Sequence, residues 1–250
     1  MNAIVLAGAP NKGALRQISP AQYEAEIEIA GRPMLDYVVL ALERVQSINQ
    51  IVIVGYKSML STNGFNGKNI VFVKPGSSVI ESLENGINTL NSKEPVLILT
   101  SDIPLISKEA LEDFLNRCNS QSGEIYYSFV PKTINDQKYP GFQRTYVRLK
   151  EGTFTGGNLV LLSPEIIREK LNILSKAVAL RKKPLKLCRM LGFWHLCKLL
   201  FGILTIKEIQ DRAAAVLGVK AIGVVSPYPE VGIDVDKPSD LKLAREVLTK

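Results

Sequence analysis

The sequence predicts an α/β fold on a mostly parallel sheet, and three patterns carry that reading. Short, almost wholly apolar runs at 3–7, 51–54, 70–73 and 95–100 have the character of strands buried on both faces. Stretches with helical spacing alternate with them, as a doubly wound arrangement requires. Gly8 closes the first run and Asp102 stands just past the fourth. In open α/β sheets ligands sit outside the carboxyl ends of the strands, so both positions are expected at the edge of a site.

Each element follows in order. The first run passes into a turn holding Gly8, Pro10 and Gly13, where backbone N–H groups can approach phosphates closely. That turn has neither the Gly-Lys-Ser/Thr of a Walker loop nor the spacing of a dinucleotide fingerprint. Residues 29–45 read as a turn and a helix. The strand at 51–54 is followed by a Gly/Ser/Asn-rich loop, and the strand at 70–73 by the turn Pro75-Gly-Ser-Ser78. Ser77 or Ser78 would cap the helix that runs to Leu90. After Asp102, Pro104 cannot continue a ladder, and Ser107 with Glu109 opens a helix reaching Cys118. Residues 125–153 look strand-like, with a loop over Lys132–Arg144. Val231–Asp236 reads as a short strand, and Pro238 opens a helix to the C-terminus. On a strand, Asp234 and Asp236 share a face. Paired with Asp102, either completes a set of hard oxygen donors suited to a divalent cation such as Mg²⁺. Asp102 alone reads equally as a strand-end residue capping the next helix.

The segments Leu6-Ala-Gly8, Ile29-Ala-Gly-Arg-Pro-Met-Leu35, Ser101-Asp-Ile-Pro-Leu105, Thr155-Gly-Gly-Asn158 and Asp234-Val-Asp-Lys-Pro-Ser-Asp-Leu241 occur in that order across nearly the whole chain. Together they resemble the MobA-like NTP transferases, the nucleotidyltransferase family that includes molybdenum cofactor guanylyltransferase and the sugar, polyol and lipid-precursor cytidylyltransferases. The resemblance implies one Rossmann-like, three-layer domain of the glycosyltransferase-A type over 1–250, with a nucleotide-binding half (1–124) and an acceptor half (125–250). It implies joining of a nucleoside monophosphate from an NTP to a small phosphorylated or alcohol acceptor, with release of pyrophosphate. On the same resemblance, Leu6, Ala7, Gly8, Ala9, Gly13, Pro75, Ser78 and Ser101 bind the nucleotide. Asp102, Asp236 and Asp234 hold Mg²⁺, and Gly156, Gly157 and Asn158 form a turn near the acceptor. Two departures stand out. Ala9-Pro-Asn-Lys-Gly-Ala-Leu-Arg16 replaces the usual Gly-rich, Arg-containing opening. Tyr23-Glu-Ala-Glu-Ile-Glu-Ile29 carries three acids where relatives have a Lys that meets the α-phosphate. Arg32 matches the family's Gly-Lys/Arg-Pro position, and Lys12 and Arg16 are candidates to supply the missing positive charge.

A chain of 250 residues that is 46% apolar and carries both charge signs can bury a substantial core. Its first residues form a strand pattern rather than a basic stretch ahead of an apolar run, which predicts a cytoplasmic protein. Cys118, Cys188 and Cys197, odd in number and widely spaced, read as reduced thiols. Cys188 and Cys197 with His195 lack a fourth zinc ligand. Residues 170–207 hold nine Lys/Arg and no acid, so the rest of a chain that is +7 overall is net −2. Lys183-Pro184 opens a helix there, continued at helical spacing by Leu187, Met190, Leu191 and Trp194, within a basic helical insertion over 170–212. Three roles are open to it: resting on an anionic membrane, covering the acceptor pocket or pairing subunits as a homodimer, or packing on the sheet with its lysines in solvent. Nucleic acid is not an expected partner, because no recognised nucleic-acid-binding fold surrounds the basic cluster. A catalytically silent nucleotide-binding regulator, or a membrane-surface binding module of the same fold, is the alternative to an enzyme. The acids of 24–28 are the regulator's best support.

Overall fold

A computed structural model describes residues 1–61, 65, 67–90, 92–180 and 192–249. The apolar runs become β1 (Asn2–Leu6), β4 (Gln50–Val54), β5 (Asn69–Val73) and β6 (Val96–Thr100), with a small hairpin, β2 (Glu28–Ile29) and β3 (Arg32–Pro33), between the first two. The helices among them are α1 (Met34–Arg44), α2 (Val79–Asn88) and α3 (Lys108–Asn119). Further along come β7 (Ile125–Pro131), α4 (Lys132–Lys138), β8 (Val147–Leu149), β9 (Gly152–Leu162), α5 (Pro164–Leu180), α6 (Phe193–Leu200), α7 (Ile206–Leu217), β10 (Ala221–Val225) and α8 (Pro238–Leu248).

The strands form one sheet in the order β10-β7-β9-β6-β1-β4-β5, with β8 beside β9. Strands β6, β1, β4 and β5 are mutually parallel, whereas β9 runs antiparallel to both β6 and β7. Helices cover both faces, and alternate strand residues feed opposite cores. Val5, Ile51, Ile53, Leu97 and Leu99 face Leu35, Val38 and Phe114 of α1 and α3. Ile4, Val52, Val54 and Ile98 face Leu83 and Ile87 of α2 and Ile167 of α5. A run apolar at every position is what a strand between two helical layers needs.

The register matters for function. Leu6 lies opposite both Val54 and Thr100, so three strands end level. The chain stays tied just past those ends: the N–H of Ala7 donates to the carbonyl of Val54 at 2.9 Å and that of Ser101 to the carbonyl of Leu6 at 3.2 Å. Gly8, Gly55 and Asp102 therefore leave the sheet along one edge.

Three expectations are corrected. The loop over Lys132–Arg144 contains α4, begun by Pro131 and supported by the Lys132–Asp136 pair one turn apart. Val231–Asp236 is not a strand. It is a 3-10 turn (Pro229–Gly232) followed by extended chain in which the N–H of Val235 donates to the carbonyl of Asp102 at 2.8 Å. Pro229 lacks a donor, and burial of Val231 in the core that includes Val130 and Leu159, and of Ile233 and Val235 by α8 and the 15–29 segment, accounts for the alternation without a ladder. Gly156, Gly157 and Asn158 lie inside β9 rather than in a turn. The expected helix start at Lys183-Pro184, with Leu187, Cys188, Met190 and Leu191, lies outside the described residues.

Candidate active site

Asp102 follows β6 by two residues, and the Oγ1 of Thr100 donates to its Oδ1 at 2.5 Å. The bond from Val235 to its carbonyl draws the 233–236 segment alongside, so Asp234 and Asp236 arrive at the same edge. One carboxylate oxygen from each of Asp102, Asp234 and Asp236 lies within 4.8 Å of the others. The sequence expectation for Asp234 and Asp236 rested on a strand; the structure brings them together through an irregular segment instead.

A cation of the chain's own sits among them. The Nη1 of Arg144 pairs with Oδ1 of Asp234, with side chains only 15% and 8% exposed. Burial pushes the Arg144 guanidinium down from its ordinary range, while Asp236, Asp102 and Asp240 act to hold its charge. Its Nε is buried with no hydrogen-bond partner. Asp240 accepts from the N–H groups of Asp236 and Lys237, both at 3.2 Å, fixing the entry to α8; burial pushes its carboxyl up despite those bonds. Four acids thus meet one guanidinium. An all-oxygen, net-negative ligand set fits a hard divalent cation.

The phosphate-side segments also converge. A Cβ on Gly8 would come within 2.3 Å of the Cβ of Pro75, so only glycine lets the first turn seat against the Pro75–Ser78 turn. In that turn the Oγ of Ser78 caps α2, accepting from the N–H of Glu81 at 3.1 Å, and Ser77 bonds the Glu81 carboxylate, holding it below its ordinary range. The segment 9–27 folds back on itself. The N–H of Glu24 donates to the carbonyl of Ala9, buried Asn11 donates to the carbonyls of Ser19 and Ala21, and Arg16 donates to those of Pro20 and Ala21 at 2.6 and 2.9 Å. Lys12 and Gly13 are exposed, and so is Arg32 on β3. The acids of 24–28 divide. Glu26 turns inward to accept from the N–H groups of Gln22 and Tyr23, and Glu28 is exposed.

On the other side, β7 and β9 lose register between Tyr127 and Phe129. The hydroxyl of Ser128 bridges the irregularity, donating to the carbonyl of Leu159 and accepting from its N–H. A Cβ on Gly157 would strike that hydroxyl at 2.2 Å. Asn158 Nδ2 donates to the carbonyl of Val231 at 3.2 Å, steadying the segment that carries Asp234. Sequence reasoning missed Arg144 and the group around Glu230. Buried Glu230 accepts from Lys138 and from the hydroxyl of Tyr139 at 2.8 Å, while its Oε2 and the Oδ1 of buried Asn135 lack partners. Beside Arg144 and Asp236 opens a cleft of about 400 Å³ between the 140–143 segment and Lys237, Ser239 and Lys242.

Comparison with known proteins fits this geometry. A family model for the MobA-like NTP transferase domain matches residues 18–181. A structure titled a hypothetical transferase, from Thermus thermophilus, superposes with a TM-score of 0.81 at 38% identity, covering 96% of this chain and 100% of that one. The 4-diphosphocytidyl-2C-methyl-D-erythritol synthase of Anaerococcus prevotii shares the fold, with a TM-score of 0.59 at 16% identity over 100% of this chain and 96% of its own. The bifunctional protein GlmU of Francisella tularensis subsp. novicida is 28% identical over 108 residues, which is 41% of this chain but only 23% of the length of GlmU.

Proposed function

The chain belongs to the MobA-like NTP transferase family, and from that premise we propose that it moves a nucleoside monophosphate from an NTP to a phosphorylated or alcohol acceptor. The observation that carries this reading is the gathering of Asp102, Asp234 and Asp236 at the carboxyl edge of the parallel strands. These three would hold Mg²⁺, which when bound supplies positive charge against the α-phosphate and the departing pyrophosphate. The backbone of Gly8–Gly13 faces the triphosphate, and Lys12, Arg16 and Arg32 add cationic contacts. Leu6, Ala7, Ala9, Pro75, Ser78 and Ser101 shape the nucleotide side within 1–124. Gly156, Gly157 and Asn158 shape the acceptor side within 125–250, where Arg144 favours an anionic group.

The acceptor oxygen attacks the α-phosphorus in line, as an already ionised phosphate oxygen or as an alcohol that gives up its proton to solvent. The bond from that phosphorus to the bridging oxygen breaks, and pyrophosphate leaves with the electron pair. The chain contributes position and electrostatics, and no covalent intermediate is needed. Glu26 caps its own turn, so one of the three acids of 24–28 has a local structural role. A supply of NTP fits a cytoplasmic setting.

Thermal denaturation with each of the four NTPs, with and without Mg²⁺, tests the reading, because a ligand that binds only the folded chain raises its midpoint. A Mg²⁺-dependent rise with one NTP names the donor, and pyrophosphate release is then followed across an acceptor panel. The Asp102→Asn variant is expected to keep its fold and to lose about 100-fold or more of that release. Parental turnover in the variant refutes the metal assignment, and a rise with an NTP without pyrophosphate release for any acceptor leaves the silent relative as the better account.

A further inference from the structure

Arg144 stands where a divalent ion would stand. Its Nη1 pairs with Oδ1 of Asp234, and Asp236, Asp102 and Asp240 all act on its charge. Oxygens of Asp102, Asp234 and Asp236 lie within 4.8 Å of one another, so a cation entering that set must share Asp234 with the guanidinium.

The guanidinium is loosely seated. A guanidinium and a carboxylate can form two parallel bonds, but here one nitrogen meets one oxygen. Nε is buried and has no hydrogen-bond partner, which is unfavourable for as long as the side chain stays there. An unsatisfied donor on a cation calls for an acceptor, best an anionic one, that the fold itself does not supply. The chain just before Arg144 walls the cleft of about 400 Å³ shared with Lys237 and Ser239, so open space adjoins this segment.

Charge sets an order of binding. One guanidinium does not offset the acids around it, so a phosphate group approaching Arg144 alone also meets Asp102, Asp234 and Asp236. With Mg²⁺ bound, the acids are offset and Asp234 is engaged elsewhere. The guanidinium then faces a like charge and is left without its partner.

On the reading of the chain as a nucleotidyltransferase, we infer that Arg144 is a stand-in for the metal ion: it gives up Asp234 when Mg²⁺ binds, and its guanidinium then takes a phosphate group of the acceptor. The acceptor is the source because Arg144 lies between α4 and β8 in the acceptor half, whereas the turns proposed for the nucleotide follow β1 and β5. Binding of the acceptor phosphate therefore follows binding of the metal.

Calorimetric titration with Mg²⁺, and with inorganic phosphate at zero and saturating Mg²⁺, tests this in the full-length parent, Arg144→Met and Arg144→Lys. The parent is expected to bind phosphate only with Mg²⁺ present. Arg144→Met, having no competitor at Asp234, should bind Mg²⁺ about fivefold or more tightly and lose the phosphate. Arg144→Lys should keep Mg²⁺-dependent phosphate binding, weakened for want of the planar fork. The Nε proton of Arg144, assigned by magnetic resonance from its loss in Arg144→Lys, should exchange with water faster once Mg²⁺ is added and slower again with phosphate. The inference is overturned by phosphate binding that needs no Mg²⁺ or survives in the folded Met variant. Equal Mg²⁺ affinity in parent and Met variant overturns it too, as does an Nε proton whose exchange Mg²⁺ leaves unchanged. A saturating mixture of the four NTPs, with Mg²⁺ in excess, should leave phosphate bound; its displacement gives Arg144 to the triphosphate and overturns the acceptor assignment. Failure of the metal reading looks different: the parent then binds no Mg²⁺, or binds it equally in Asp102→Asn, and both ideas fall together. Mg²⁺ binding that Asp102→Asn loses and Arg144 does not affect removes this inference alone.

Discussion

Arg144 and Asp234 are ninety residues apart in the chain, yet they meet at the edge of the sheet. A buried pair gains little over an apolar contact of the same size, but removing one partner strands the other charge. Asp234 would then stand among Asp102, Asp236 and Asp240 with no guanidinium between them. Arg144→Met is therefore expected to lose about 3 kcal/mol of stability, and Mg²⁺ should restore part of that loss by supplying the missing positive charge. Thermal midpoints of parent and variant with and without Mg²⁺ decide the matter; a variant as stable as its parent, or one indifferent to Mg²⁺, shows that the cluster does not need the guanidinium. The same four residues show what a sequence can disclose about a site. Asp102 announces itself by ending an apolar run, and Asp234 and Asp236 by their spacing before Lys237-Pro238. Arg144 sits in a polar segment with no pattern around it, and only the topology of β7, α4 and β9 brings it to the acids.

Among the elements, α7 carries the clearest signature of its own boundary. The Thr205 hydroxyl accepts from the N–H of Glu208, and the Glu208 carboxylate returns to the N–H of Thr205 and also pairs with Lys198 of α6. Lys198 first, and the Thr205 bonds after it, hold the Glu208 carboxyl down at about 2. Because the folded value lies below the ordinary one of 4.5, the latch between α6 and α7 is fully present above about pH 4.5. It is lost as pH falls from there through 2. Trp194 lies on α6, so an acid titration of its emission should show a change in that window, and Glu208→Gln should remove it. A change that persists in the variant assigns the transition to another carboxylate. Caps of this kind, at Ser78 and Ser107 as well, are local and therefore legible. The helix α4 was hidden because its seven residues, with Ile134 the one apolar among them, bury little more than Asn135, leaving no apolar period to read. The 231–236 segment misled in the opposite sense: its period of two is real, but it combines two packings without a strand ladder, Val231 in the core with Val130 and Leu159, and Ile233 and Val235 against α8 and the 15–29 segment.

At the scale of the whole molecule, the parallel strands β6, β1, β4 and β5 were legible because each is apolar at four successive positions. The insertion of antiparallel β9 between β6 and β7 was not, since periodicity says which face a residue takes and nothing about which strand lies beside it. That insertion sets the Asn158–Val231 contact and the Asp234 segment against the Asp102 edge, so the proposed donor and acceptor sides share one acidic cluster. A shared cluster has a thermodynamic consequence. An NTP arriving alone brings its phosphates towards carboxylates of like charge, and a divalent ion arriving alone competes with Arg144 for Asp234. Each ligand removes the penalty the other faces, so the two should bind cooperatively. Linkage makes the effect reciprocal: the factor by which Mg²⁺ tightens the NTP must equal the factor by which the NTP tightens Mg²⁺, and we expect about tenfold or more. Calorimetric titration of each ligand at fixed levels of the other, corrected for the Mg²⁺–NTP complex in solution, measures that factor twice. In Asp236→Asn, with one like charge fewer, the factor should shrink. Independent binding of the two ligands would mean that the triphosphate and the three aspartates do not face one another, and the proposed site would have to be redrawn around some other edge of the sheet.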